Sequence, residues 1–156
     1  MIPASPEIAQ RFAEIHPPFD PQAALVEANR CLYCFDAPCT AACPTHIDVP
    51  RFIKKIATAN LRGSAVTILE SNILGSSCSR VCPVDVLCEG ACVLHRYNKQ
   101  PIEIGRLQRH AMDYFYSNDP HLPLRLLRIG QRRSRVSALV RHRSHARWSC
   151  ASAATA

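Results

Sequence analysis

Cysteine is the most prominent reactive residue of this sequence, and the first four cysteines lie in one short run. Cys31, Cys34, Cys39 and Cys43 have the spacing C-x2-C-x4-C-x3-C, and Pro44 follows directly. Two cysteines three residues apart can present both sulfurs to one metal centre across a single turn of backbone, and the next turn brings a third. The run therefore predicts a metal site built from thiolates.

A second run, in CSRVCPVDVLCEGACVLH, contains Cys78, Cys82, Cys88 and Cys92, and Pro83 again follows a cysteine directly. In two-cluster bacterial ferredoxins, the fourth cysteine of a run, which precedes a proline, binds the other cluster. Two runs of this kind predict two iron–sulfur clusters that exchange a ligand. By residue counting alone, the eight cysteines make two sites of four thiolates each.

Zinc and disulfides are the alternatives for so many cysteines. Zinc knuckles place two C-x2-C pairs on glycine-bearing turns, whereas these runs are longer and lie among apolar residues. A zinc-stabilised interaction module with a basic arm remains the second hypothesis. The N-terminus has no basic start, apolar stretch or cleavage site of a signal peptide, and no apolar run is long enough for a membrane span. We therefore expect reduced thiols in the cytoplasm and no membrane partner.

The net charge of +7 is confined to one end of the chain. Residues 1–120 carry 11 basic and 12 acidic residues, while residues 121–156 carry eight arginines and no acid. The body of the chain therefore lacks the basic surface that nucleic-acid binding requires. We expect no nucleic-acid partner.

Helices are the elements expected to position the cysteines. Apolar residues recur at helical spacing in segment 7–15. Asp20 is a suitable N-cap for the next helix, with Pro21 at its first position. This helix runs towards Cys31 and delivers the first run from its C-terminal end.

Two more helices are predicted between the cysteine runs. Asp48 caps the first, the segment 60–63 breaks it, and Ser64 caps the second, which ends near Gly75. The expected buried residues of the second are Val66, Ile68, Leu69 and Ile73. A short turn between the two helices allows this spacer to fold back and bring the runs together.

The remaining helices are predicted around and after the second run. Asp85 opens a short helix that places Cys88 and Cys92 on one face, at positions i and i+4. A last amphipathic helix ends near Asn118, and its apolar residues at three- and four-residue intervals are Ile104, Leu107, Ala111, Tyr114 and Phe115. No alternating strand pattern occurs, so the predicted fold class is all-α, with loops wrapped around inorganic clusters.

Three separated segments resemble the N-terminal α-helical iron–sulfur domain of the dihydropyrimidine dehydrogenases. They are CLYCFDAPCTAACPTHIDVPRFIKKIA, CSRVCPVDVLCEGACVL and PIEIGRLQRHAMD. The resemblance is strongest to the bacterial NAD-dependent subunit, is more distant to the glutamate synthase small subunit, and covers roughly residues 20–118. It implies an α-helical ferredoxin domain with two [4Fe–4S] clusters.

The resemblance also implies a ligand set that spacing alone does not give. One cluster would be bound by four cysteines, Cys31, Cys34, Cys39 and Cys92. The other would be bound by three cysteines and the amide of a glutamine in the motif GRLQR, namely Cys43, Cys82, Cys88 and Gln108. Cys78 then binds nothing. Because a carboxamide oxygen is a weaker and neutral donor, it changes the charge and potential of its cluster.

Electron transfer is the function that the resemblance implies. In such enzymes a flavin accepts hydride from a nicotinamide cofactor, and the clusters pass single electrons to a second flavin site where a pyrimidine is reduced. FAD and NAD(P) are expected on a flavoprotein domain or subunit outside this chain, and pyrimidine reduction on a catalytic subunit. We therefore expect this chain to be the electron relay of an oxidoreductase and not to be catalytic alone.

The last segment departs from the family, which continues into a flavin-binding Rossmann unit with a G-x-G-x-x-G turn. Residues 121–156 contain a single glycine, Gly130. We hypothesise an out-of-frame or truncated flavin domain there; a genuine basic arm and a disordered tail without a role are the alternatives, and resequencing the gene would distinguish them. The predicted division is a segment 1–19, a cluster domain 20–120 and a basic, disordered tail 121–156, whose Cys150 receives no function.

Overall fold

The computed structural model describes residues 17–118, together with Glu7. It contains seven α-helices in this range: α1 (Pro21–Asn29), α2 (Pro38–Ala42), α3 (Val49–Ala57), α4 (Leu61–Ser71), α5 (Gly75–Val81), α6 (Val93–Arg96) and α7 (Ile104–Asn118), with one 3-10 turn, Val84–Val86. Residues 17–118 form no strand, which confirms the predicted all-α class. Most of the helix predicted in segment 7–15, and the tail with Cys150, lie outside the described residues.

Two of the predicted helix starts are confirmed, and both depend on an aspartate cap. The Asp20 carboxylate accepts a hydrogen bond from the backbone N–H of Ala23 at 2.8 Å, where α1 begins. The Asp48 carboxylate accepts one from the N–H of Arg51 at 3.1 Å, where α3 begins. Each cap satisfies one of the N–H groups that a helix leaves unpaired at its first turn.

The predicted start of α4 is wrong by one turn. Asn60, interpreted as part of a break, is its N-cap, because its side-chain oxygen accepts a hydrogen bond from the N–H of Gly63 at 2.9 Å. Ser64, predicted as the cap, lies inside the helix, and its hydroxyl donates to the carbonyl of Phe52 at 2.9 Å. Ser64 therefore ties α4 to α3. Ile73 was predicted to be buried but is 66% exposed, because α4 has already ended at Ser71.

The helix predicted to begin at Asp85 is also wrong. The chain makes one 3-10 turn, Val84–Val86, and then further turns that carry Cys88. The carbonyl of Val84 accepts hydrogen bonds from the N–H groups of Leu87, Glu89 and Gly90, which is not a helical pattern. The backbone passes so close to itself that a Cβ on Gly90 would lie 2.2 Å from the Asp85 carbonyl oxygen. A glycine is therefore needed in this turn.

The hydrophobic core lies between α3, α4 and α7, with α1 and α5 packed at its sides. Its largest fully buried apolar side chains come from these three central helices and are Phe52, Ile53, Ile68, Leu107, Met112 and Phe115. Tyr114, counted in the apolar repeat of the last helix, is 41% exposed on α7. The described residues all belong to one compact unit. None of the helices between residues 17 and 118 has both the length and the apolar character of a membrane span.

Candidate metal centre

The first candidate site is a cavity lined by four cysteines. Three come from the first run and one from the second: Cys31, Cys34, Cys39 and Cys92. The rest of the lining is apolar and consists of Leu32, Pro38, Pro50, Val93, Leu94 and Ile102. The structure therefore brings together four thiols in a largely apolar setting.

Two thiols of this first group, those of Cys31 and Cys39, are stabilised in their protonated form by their surroundings. Burial raises the pKa of Cys31, and the nearby charges of Cys34 and Cys92 raise it further. Burial raises the pKa of Cys39 to about 11, again with contributions from Cys31 and Cys92. Four thiolates at this place are unfavourable unless a cation compensates their charge. A metal centre would provide that compensation.

Two residues within the first run have a left-handed backbone conformation. Tyr33 has φ 51° and Ala37 has φ 35°. Such values are unfavourable for residues with a Cβ, and they occur one residue before Cys34 and two residues before Cys39. The turn is fastened by the Tyr33 hydroxyl, which donates to the carbonyl of Ala28 at 3.1 Å.

The second candidate site gathers the remaining cysteines of both runs. The pKa of Cys88 is raised to about 12 by burial and also by the charges of Glu89, Cys43 and Cys82. Burial raises the pKa of Cys82, with further contributions from Cys78 and then Cys43. Cys43 of the first run thus lies with the cysteines of the second run, just as Cys92 lies with those of the first.

Gln108 is buried on α7, with 8% of its surface exposed. Its side-chain nitrogen donates a hydrogen bond to the carbonyl of Gly75 at 2.8 Å. The carbonyl acceptor identifies the nitrogen end of the amide. Within residues 17–118 no hydrogen bond to the side-chain oxygen of Gln108 is found. The oxygen therefore remains available as a ligand atom, a role that spacing would not have suggested.

Two carboxylates that the sequence analysis did not consider, the buried Glu27 and the half-buried Glu89, hold the start of α7 in place. Glu89 accepts a hydrogen bond from the N–H of Gly105 at 2.9 Å, and its own pKa is raised by burial. Glu27 on α1 accepts one from the N–H of Glu103 at 3.0 Å and forms an ion pair with Arg30 at 2.7 Å. Both contacts fix the helix that carries Gln108. Neither could be recognised in the sequence, because each carboxylate binds a backbone N–H group that is distant along the chain.

The donor sets fit iron–sulfur clusters in their chemistry. Soft thiolates in an apolar surrounding are the usual ligands of such clusters, and a carboxamide oxygen is an acceptable neutral ligand to iron. A single zinc ion needs its four sulfurs about 3.8 Å apart, as follows from tetrahedral geometry and the length of the zinc–sulfur bond. No three Cys, His, Asp or Glu side chains between residues 17 and 118 converge in this way on one ion.

A helical domain that gathers two groups of thiols from interleaved runs belongs to the class of iron–sulfur proteins. Residues 8–120 match the family described as dihydropyrimidine dehydrogenase domain II, 4Fe-4S cluster, and the chain belongs to this family. The predicted resemblance is thereby confirmed, as is the function as an iron–sulfur domain of this type of oxidoreductase. The zinc alternative is not favoured.

Curated relatives agree with this family. The chain is 48% identical over 101 residues to the NAD-dependent dihydropyrimidine dehydrogenase subunit PreT of Escherichia coli O157:H7, and to the same degree to that of Salmonella typhimurium strain LT2. Each of these alignments covers 65% of this chain and 24% of the relative. It is 36% identical over 105 residues to the glutamate synthase [NADPH] small chain of Halomonas elongata, covering 67% of this chain and 22% of the relative. The chain thus spans about a quarter of the length of these relatives.

Proposed function

We propose that this chain holds two [4Fe–4S] clusters and relays single electrons between flavin sites of a larger oxidoreductase of the dihydropyrimidine dehydrogenase or glutamate synthase small chain type. Membership of the 4Fe-4S family supports the kind of cluster. The proposed number of two clusters is supported by the way in which the structure groups the cysteines of the two runs. Cys92 lies with the first run and Cys43 with the second, which gives two separate groups.

The proposed ligands of the first cluster are Cys31, Cys34, Cys39 and Cys92, which line one cavity. The proposed ligands of the second are Cys43, Cys82, Cys88 and the side-chain oxygen of Gln108. The anchored nitrogen of Gln108 supports this choice, because it leaves the oxygen as the atom available for iron. The clusters, when bound, accept and release one electron at a time.

The chain's own contribution to this function is positioning and electrostatics. The lining of the first site is largely apolar, and the interleaved runs hold both sites within one small helical unit. A neutral amide in place of a fourth thiolate leaves the second cluster one negative charge less than the first. The two clusters are therefore expected to differ in reduction potential.

The partners of the relay are part of the same proposal. The relatives are a subunit of an NAD-dependent dihydropyrimidine dehydrogenase and a glutamate synthase [NADPH] small chain, and this chain corresponds to about a quarter of each. We place FAD and NAD(P) on a flavoprotein domain or subunit, and the reduction of the pyrimidine on a separate catalytic subunit. A reducing compartment, the cytoplasm, would keep the cysteines as metal-binding thiols.

Metal analysis after anaerobic purification tests the proposal. We expect about eight irons and eight acid-labile sulfides per chain, with little zinc, as two four-iron clusters require. About four of each would contradict the second cluster. Zinc without sulfide would contradict the electron relay and restore the zinc-binding module.

Substitution of the second site tests the ligand assignment. Gln108→Ala is expected to alter the electron paramagnetic resonance spectrum and the stability of one cluster, because it removes a ligand atom. Cys78→Ala is the matched control, which removes a neighbouring thiol and is expected to leave both clusters unchanged. The opposite pattern would make Cys78 the ligand.

A further inference from the structure

Asn72 is a buried polar residue in the turn between α4 and α5, with 8% of its surface exposed. Its side-chain oxygen accepts a hydrogen bond from the backbone N–H of Leu74 at 2.9 Å. Its side-chain nitrogen donates one to the sulfur of Cys78 at 3.1 Å. Both ends of this amide are therefore used, and one of them is directed at the cysteine to which no cluster has been assigned.

Cys78 is a serious competitor for the second cluster. It lies one helical turn before Cys82, whose N–H donates to the carbonyl of Cys78 at 3.0 Å. Both Cys78 and Cys43 contribute to the raised pKa of Cys82, and the contribution of Cys78 is the larger of the two. A thiolate is also a stronger ligand for iron than a carboxamide oxygen. Something in this chain must therefore keep Cys78 from displacing Gln108.

The same turn holds both competitors. Gly75, whose carbonyl anchors the Gln108 amide at 2.8 Å, follows Asn72 by three residues, and its N–H donates to the Asn72 carbonyl at 3.1 Å. The segment 72–78 thus engages the Cys78 sulfur through an amide N–H and leaves the Gln108 oxygen without a hydrogen-bond donor among residues 17–118. An N–H donated to sulfur reduces the electron density that the sulfur offers to iron.

We propose that Asn72 selects the fourth ligand of the second cluster: its hydrogen bond restrains the Cys78 thiol, so that the Gln108 amide oxygen binds iron instead. This inference rests on the ligand set proposed above. Asn72 is a positioning residue in this scheme, because it acts through Cys78. Without its donor, Cys78 replaces Gln108, and the amide ligand is exchanged for a thiolate.

The test compares Asn72→Ser, Cys78→Ala and the double variant with the unaltered chain. A serine hydroxyl still accepts the N–H of Leu74 in a turn, but it is too short to reach Cys78. Asn72→Thr serves as a second variant that fills more of the vacated volume. The readouts are iron and sulfide content, and the reduction potential of each cluster from a titration followed by electron paramagnetic resonance.

We expect Asn72→Ser to keep both clusters but to shift the potential of one of them to a more negative value, because a thiolate adds negative charge to it. The double variant should return to the potential of the unaltered chain, since the competing thiol is absent. A shift that persists in the double variant, or no shift in either Asn72 variant, would contradict the role of Asn72. Absence of sulfide from the unaltered chain would contradict the proposed function itself, and a cluster altered by Cys78→Ala alone would contradict the ligand set.

Discussion

Burial controls the protonation of individual thiols in this domain. It raises the pKa of Cys39 to about 11 and that of Cys88 to about 12, and neighbouring thiolates contribute in the same direction. A thiol with a raised pKa stays protonated at neutral pH, so iron must displace a proton from it. The metal-free domain is therefore expected to contain inert thiols where the metal-bound domain contains thiolates.

Alkylation of the metal-free chain tests this expectation. Burial moves the pKa of Cys39 from an ordinary value of 9.0 to about 11, which lowers its thiolate fraction about 100-fold at neutral pH and its reaction with iodoacetamide in proportion. Cys88 should react more slowly still. Mass spectrometry gives the rate at each cysteine, and the same chain in denaturant is the control. Equal rates in the folded and the denatured chain would contradict the prediction.

The left-handed backbone at Ala37 predicts a reversal of the usual effect of glycine. Ala37→Gly relieves an unfavourable φ and should raise the free energy of unfolding by up to about 1 kcal/mol, while Ala37→Val should lower it by about 1–2 kcal/mol. Ala41→Gly is the control, because Ala41 is exposed on the helix α2, where glycine costs about 1 kcal/mol. Thermal unfolding of the cluster-loaded chains under argon measures the three effects. A loss of stability in Ala37→Gly similar to that in Ala41→Gly would show that φ is not strained.

Residue types were the most predictable part of the site. The cysteines indicate a metal site with thiolate ligands, because few other kinds of site require eight cysteines in two runs. The contacts of Gln108 and Asn72 were not predictable, because their partners are a backbone carbonyl and a single sulfur rather than a pattern of residues. The role of Gln108 was inferred from the family resemblance alone.

Close packing between helices limits what α5 can tolerate at its first residue. A Cβ on Gly75 would lie 2.6 Å from Cγ2 of Ile68 on α4 and 3.4 Å from the sulfur of Met112 on α7. The small size of glycine therefore lets α5 approach both helices. This approach also brings the Gly75 carbonyl within reach of Gln108.

Gly75→Ala is expected to push α5 away from the core. The overpacked side chain should lower the free energy of unfolding by about 1–3 kcal/mol, and displacement of the Gly75 carbonyl should weaken the anchor of Gln108. Ser77→Ala, on the exposed side of the same helix, is the control. Thermal unfolding gives the first effect, and loss of one cluster on exposure to a chelator gives the second. If Gly75→Ala behaves like Ser77→Ala in both measurements, α5 has room to adjust.

The elements were predicted well where the signal is local. Asp20 and Asp48 cap their own helices, so three or four residues suffice to identify them. The turns after Val84 were mistaken for a helix because the spacing of Cys88 and Cys92 suits a helix, whereas hydrogen bonds to a single carbonyl determine the backbone. The helix α5 was missed because it is short and its sequence, GSSCSRV, has little apolar periodicity.

The residues proposed to bind metal all lie in one part of the chain. All eight cysteines of the two runs and Gln108 fall within residues 17–118. A chain that ends at Asn118 should therefore bind the same iron and sulfide per mole as the full chain, measured after parallel anaerobic reconstitution. A loss of either cluster in the shorter chain would show that residues 119–156 contribute to binding.

Interleaving of the two runs has a consequence for how the protein is made. A ribosome releases the chain from its N-terminus, and the first run is complete at Cys43. Cys92 lies in the first cavity, so the first group is complete only when the nascent chain has extended to residue 92. The proposed ligands of the second cluster include Gln108, so that set is complete only at residue 108. Cluster insertion must then follow synthesis of nearly the whole helical unit, and a product interrupted before residue 92 has neither proposed set of four ligands to offer to the machinery that delivers iron and sulfide.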